Sequence, residues 1–203
     1  MMLNRWCIVS MYYSLILMIY PTRSQEIFQS YFILSDAGTR FLPVNIPAQF
    51  ITLVIVDSWR SCAIECNNNP LCRAFDYGAI QPNGCLLFEG DVGISGSIIP
   101  SNIPDSVAGT VEMSSTLFTG YGQSCSSTCP QSRYLVCSDK SICECMPHTY
   151  WNPSVGICYA QATIAGASCD SSMEMCREDY NLTCSAMNEC VGMYERYSIE
   201  MND

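Results

Sequence analysis

A chain of 203 residues can hold one large domain or two to three small ones. Fifteen cysteines, about 7% of the residues, approach the density of a disulfide scaffold, and the cytosol would keep such thiols reduced. Nineteen acidic residues against nine basic ones give a net charge of −10. That charge repels phosphate backbones and argues against nucleic acid and anionic lipid as partners.

The chain opens with Arg5 and no acid, then an apolar run from Cys7 to Tyr20 broken only by Ser10 and Ser14. Thr22-Arg23-Ser24 offers small residues at −3 and −1 for cleavage before Gln25. The layout predicts a signal peptide over residues 1–24. At about 14 residues the run is shorter than the roughly 20 needed to span a bilayer, and an uncleaved anchor is the alternative. Cleavage removes Arg5, Arg23 and Cys7, which leaves an even fourteen cysteines and a mature charge of −12. The polar, acidic end from Met193 to Asp203 holds no membrane span or lipid-anchor tail.

Tyr31–Leu34 and Arg40–Leu42 flank an Asp36-Ala37-Gly38 turn signal, which predicts a hairpin. Phe50–Val56 is apolar and β-branched, as a buried strand would be. A short helix is expected to start at Asp57 or Ser58, either of which can cap it, and to stop at Asn67-Asn68-Asn69-Pro70. Cys62 and Cys66, four residues apart, leave the same face of that helix. Cys72–Tyr77 and Cys85–Phe88, joined by Gln81-Pro82-Asn83-Gly84, predict a second hairpin, and Gly109–Met113 a closing strand. The simplest wiring staples the helix to this hairpin through Cys62–Cys85 and Cys66–Cys72. By loop-closure entropy those bridges contribute about 3.5 and about 2.4 kcal/mol. Spacing alone leaves all three connectivities of four cysteines open.

The run Cys62-x3-Cys66-x5-Cys72-Arg-Ala-Phe-Asp-Tyr, followed by Cys85-Leu-Leu-Phe, resembles the core of a PAN/apple domain. The resemblance covers about 90 residues and implies an α+β, disulfide-rich fold with a helix on a curved antiparallel sheet. It also implies bridges from the first of these cysteines to the last and between the middle two. The further pair that ties the termini of true apple domains is missing, which favours the simpler PAN type. Such modules bind proteins or glycans and are not catalytic. Their ligand surfaces vary, so the resemblance carries no binding residues over to this chain.

Composition shifts near residue 118, and few aliphatic side chains follow. Gly122-Gln-Ser-Cys125 recurs as Gly166-Ala-Ser-Cys169, and Cys129-x7-Cys137-x5-Cys143 recurs as Cys176-x7-Cys184-x5-Cys190. Two matched gaps and a flanking motif mark a duplication. The first copy, which adds Cys145 and Cys158, looks like an EB-type or EGF-type module. That likeness implies Cys125–Cys137, Cys129–Cys143 and Cys145–Cys158, and by analogy Cys169–Cys184 and Cys176–Cys190 in the shorter copy. Seven bridges then use all fourteen cysteines. The expected organisation is a signal peptide (1–24), a PAN/apple-like domain (25–117), an EB/EGF-like module (118–165) and a truncated repeat (166–203).

The clustered cysteines could in principle bind zinc, but export favours disulfides, so no metal or cofactor is expected. Thr119–Ser124 has no acid to supply a calcium ligand ahead of Cys125. His148, the sole histidine, is expected as an exposed imidazole beside no nucleophile, and Glu178/Asp179 as a solvated acidic face. No catalytic residue is assigned. Asn181-Leu-Thr183 is the single N-glycosylation sequon. The aromatic pairs Phe75/Tyr77 and Tyr150/Trp151 are candidates for a contact surface, but core packing explains them at least as well, so no ligand-binding residue is named. The expected function is a secreted, non-catalytic protein that binds an extracellular protein or glycan. A cysteine-rich protease inhibitor and a structural matrix component are the alternatives.

Overall fold

The computed structural model describes residues 30–129 and 132–193. The leader expected over residues 1–24, with Cys7, lies outside them. The described protein is disulfide-rich and built mostly of small antiparallel sheets with few helices.

Its largest element is a five-stranded sheet in the order β1 (Phe32–Leu34), β7 (Val107–Val111), β4 (Ala74–Tyr77), β5 (Gly84–Phe88), β3 (Phe50–Ile55). β4 and β5 are buried along nearly their whole lengths because both sheet faces are covered. On one face lies helix α2 (Trp59–Asn68), packed through Cys62 and Cys66 against Cys72, Phe75, Cys85 and Leu87. On the other lies a ribbon of β2 (Thr39–Pro43) and β6 (Gly96–Pro100), which buries Phe41 against Ala74, Leu86, Phe88 and Ala108. The alternation Ala74, Phe75 and Leu86, Leu87 between the two faces is the period-two pattern of a strand. Gly109 lets Phe75 lie flat on β7, since a Cβ there would stand 2.2 Å from the Phe75 ring.

The expected helix is present, and of its two candidate caps Ser58 is the one used: its side chain accepts the Ser61 N–H. Asp57 instead accepts from the hydroxyls of Ser61 and, more weakly, Ser58, which holds its carboxyl below the usual carboxylate range. The Cys72–Tyr77 and Cys85–Phe88 hairpin also forms, with β4 and β5 paired from Ala74↔Phe88 to Tyr77↔Cys85.

Two expectations fail. The Tyr31–Leu42 hairpin does not form: β1 pairs with β7 and β2 with β6, in different layers. The Asp-Gly turn is real, with Gly38 at φ 78°. Its neighbours are claimed elsewhere, however, because Gly38 N donates to Ser106 O and Ser35 N to Ala108 O. β3 is a strand but not a buried one. It is the sheet's edge, and Phe50, Leu53 and Ile55 are exposed. A short helix α1 (Ile46–Gln49), capped by Asn45, precedes it and was not foreseen.

After a 3-10 turn at Ser115–Phe118 come three two-stranded hairpins: β8 (Leu135–Cys137) with β9 (Cys143–Cys145), β10 (Thr149–Asn152) with β11 (Ile157–Ala160), and β12 (Leu182–Cys184) with β13 (Cys190–Gly192). The duplicated segments share their backbone hydrogen bonds. Gly122 N to Cys143 O matches Gly166 N to Cys190 O, and Cys125 N to Ser141 O matches Cys169 N to Asn188 O. Ser138 N to Ile142 O likewise matches Ser185 N to Glu189 O. Ser141 and Asn188, equivalent in the two copies, both take left-handed φ, 59° and 60°.

Candidate functional site

A groove of about 440 Å³ opens between the sheet, the β5–β6 loop and β11. One wall is β1, with Ile33 and Leu34 exposed; the others come from Val92, Ile94 and Ile98, the end of β7 through Met113, and Tyr159 of β11. The loop between β5 and β6 is bent so that Val92 and Ile94 reach solvent. Asp91 N donates to Ser95 Oγ, Ser95 N returns to Asp91 O, and Gly93 supplies φ 86°. Gln49 anchors the loop from below by donating to Ser95 O.

A buried cation and a half-buried carboxylate make the floor. Arg73 Nη1 donates to Asp91 Oδ2 at 2.8 Å, and Arg73 Nη2 donates to Cys158 O at 2.9 Å. Asp91 Oδ2 also accepts the Ala160 N–H at 3.0 Å. Paired and hydrogen-bonded, these charges are neutralised rather than offered to a ligand. Glu112 at the rim is exposed. The groove is therefore an apolar trough with an acidic lip. Sequence reasoning missed it because its walls come from residues 33–35, 91–98, 110–113 and Tyr159, which only the sheet order brings together.

His148 is not the free, exposed imidazole expected of a loop. Its Nδ1 lies 2.9 Å from Glu89 Oε2, and its Nε2 lies 3.8 Å from Asp179 Oδ2. Arg177 grips both carboxylate oxygens of Asp179 at 2.6 Å and reaches Glu89 Oε2 and Ala48 O at 3.3 Å. The Arg177 fork holds the Asp179 carboxyl below the usual carboxylate range. Asp179 is thus a ligand of an arginine, not part of a plain solvated face. Glu178, in the same 3-10 turn, stays exposed.

The structure brings together Cys62 with Cys85, Cys66 with Cys72, Cys125 with Cys137, Cys129 with Cys143, Cys145 with Cys158, Cys169 with Cys184, and Cys176 with Cys190. Two sulfur clusters, Cys125/Cys129/Cys143 and Cys169/Cys176/Cys190, have metal-like spacing. Each consists of neighbouring disulfides, and zinc needs thiolates. Phe75 is wholly buried and Tyr150 nearly so, while Trp151 stacks on Tyr121 with ring centroids 3.8 Å apart. Tyr77 is half-buried, its hydroxyl donating to Asp57 O. Asn181 is exposed at the end of a 3-10 turn, with φ 55°.

No protein-family model, curated protein or solved structure matches this chain.

Proposed function

We propose that the protein is secreted and non-catalytic, and that it recognises an extracellular protein or glycan through a PAN/apple-like module over residues 25–117. The EB/EGF-like module over 118–165 and the shortened repeat over 166–203 follow that module in the chain. The observation that carries this reading is the open apolar groove on a scaffold cross-linked at seven places. Loops held by bridges have little conformational entropy left to lose on binding, so a modest contact area can yield useful affinity. A non-catalytic role agrees with the state of the sole histidine, which is engaged by Glu89 and faces Asp179 rather than a nucleophile. Export agrees with the cysteine usage, since these bridges persist only where the medium is oxidising.

The test is a panel of extracellular proteins and glycans screened with the full chain exported from cells. A saturable, specific ligand is the expected result. A folded, fully oxidised sample that binds nothing on the panel overturns the proposal in favour of a structural matrix role.

A further inference from the structure

β1 pairs with β7 so that Tyr31, Ile33 and Ser35 face their partners in hydrogen-bonded pairs: Glu112 N donates to Tyr31 O, and Ser35 N to Ala108 O. In an antiparallel ladder the intervening residues turn their backbone groups the other way. Phe32 and Leu34 therefore direct N–H and C=O outward, away from β7, and no partner meets them among the described residues. Proteins commonly blunt such an edge with a charge, a proline or a bulge. The run Tyr31-Phe32-Ile33-Leu34 has none of these, and only the shortness of β1, three residues, limits the edge. Ile33 is 58% exposed and, with Leu34, forms the wall of the apolar groove. An unpaired strand edge beside an apolar trough has the chemistry of strand addition, in which main-chain bonds give affinity and pockets for alternate side chains give specificity.

Charge selects the partner. Of the nine basic residues, Arg5 and Arg23 belong to the expected leader. Arg73, Arg133 and Arg177 are engaged in internal hydrogen bonds. The pairs Arg73–Asp91 and Arg177–Asp179 cancel internally and leave the sum unchanged, so without the leader seven bases stand against nineteen acids and the outer field is that of a charge of −12. The groove's own cation is neutralised by Asp91, and its lip carries Glu112.

We propose that the β1 edge and the adjoining groove receive an extended, cationic segment of a partner protein, which adds as a sixth strand and lays alternate apolar side chains into the trough. This inference rests on the reading of the chain as a binding protein and names its site and its partner's chemistry.

The test uses the exported full chain and a short end-blocked peptide that alternates Val or Ile with Lys or Thr. Controls are the same peptide with Glu for Lys, the peptide N-methylated at alternate amides, and a fatty acid. Fluorescence anisotropy reads affinity, and hydrogen exchange reads the Phe32 and Leu34 amides. The Lys peptide is expected to bind, more weakly as salt rises, and to slow exchange at both amides, while the Glu and N-methylated peptides fail. Leu34→Pro removes an outward donor without breaking a β1–β7 bond and should weaken binding about tenfold. Ile94→Lys, on the exposed loop, should weaken it as well and does not touch the edge, so one variant's failure to fold leaves the other to decide. Equal binding by wild type and a folded variant overturns the proposal, as does a fatty acid that binds where the peptide does not. If a ligand from the extracellular panel binds both variants as well as wild type, this site is wrong and the binding function stands. If the wild type binds neither peptide nor panel, both fall.

Discussion

Asp76 sits at the centre of the sheet with no solvent exposure. Its Oδ1 accepts the Phe41 N–H and so ties the β2–β6 ribbon to the sheet, while Oδ2 meets no donor among the described residues. Burial outweighs that hydrogen bond and the pull of Arg40, and pushes the carboxyl up to about 7. Unfolded, it titrates near 3.8. Between those values the folded state holds a proton that the unfolded state has released. This residue's contribution is therefore complete below about pH 4 and is lost as pH rises through about 7, on the order of 4 kcal/mol in all. Asp76→Asn keeps the acceptor for Phe41 and removes the titration. Thermal midpoints at pH 5 and pH 8 should differ less for the variant than for wild type, with the variant the more stable at pH 8. At Asn181 the left-handed backbone complicates direct substitution, so Thr183→Ala is the cleaner probe of the sequon. Glycosidase treatment should shift the wild-type protein on a gel and leave Thr183→Ala unmoved.

The helix α2 illustrates how an element is completed from outside its own sequence. Ser58 caps its start, but its last turn carries no basic residue. Arg133, far along the chain, supplies the cation: its Nη1 donates to Cys66 O, Asn67 O and Asn69 O at 3.0, 3.0 and 2.6 Å. Its Nη2 reaches Cys72 O and Tyr134 Oη, and its Nε reaches Ser30 Oγ. A guanidinium there satisfies carbonyls that a helix end leaves unpaired and opposes the negative pole of its dipole. Arg133→Ala takes its donor from Cys72 O and a second donor from Cys66 O and Asn69 O, and should cost about 3 kcal/mol, measured by denaturant unfolding. Arg133→Met, which restores the stem but not the fork, should recover only a minor part. The failed β1–β2 hairpin belongs at this scale too. A turn signal fixes the bend at Gly38, but which strands pair is decided by the competing claims of β7 and β6.

Three internal arginines join segments far apart in the chain. Arg73 bonds Cys158 O, Arg133 bonds the end of α2, and Arg177 bonds Ala48 O, with Asn45 Nδ2 to Thr163 O as a fourth tie. The apolar contacts agree: Val111 of β7 shares a cluster with Phe118, Tyr134 and Leu135. The cysteine-rich part, poor in aliphatic residues, thus completes its core on the sheet. Covalent closure remains what holds it locally. Exported material should show no thiol when denatured without reductant and fourteen after reduction; several reactive thiols before reduction would contradict the pairing.

The sequence alone determined the local matters: the helix start at Asp57 or Ser58, the Cys62/Cys66 helix face, the β4–β5 hairpin and the repeat around Gly122 and Gly166. Each depends on residues a few positions apart, where periodicity, turn chemistry and spacing act directly. Tertiary structure decided the rest. The exposure of β3, the fate of the Tyr31–Leu42 segment, the ionic setting of His148 and the groove beside β1 all depend on strand order and on contacts between distant segments. No local pattern encodes those, because a strand's partner and a charge's counterion are chosen by competition across the whole chain.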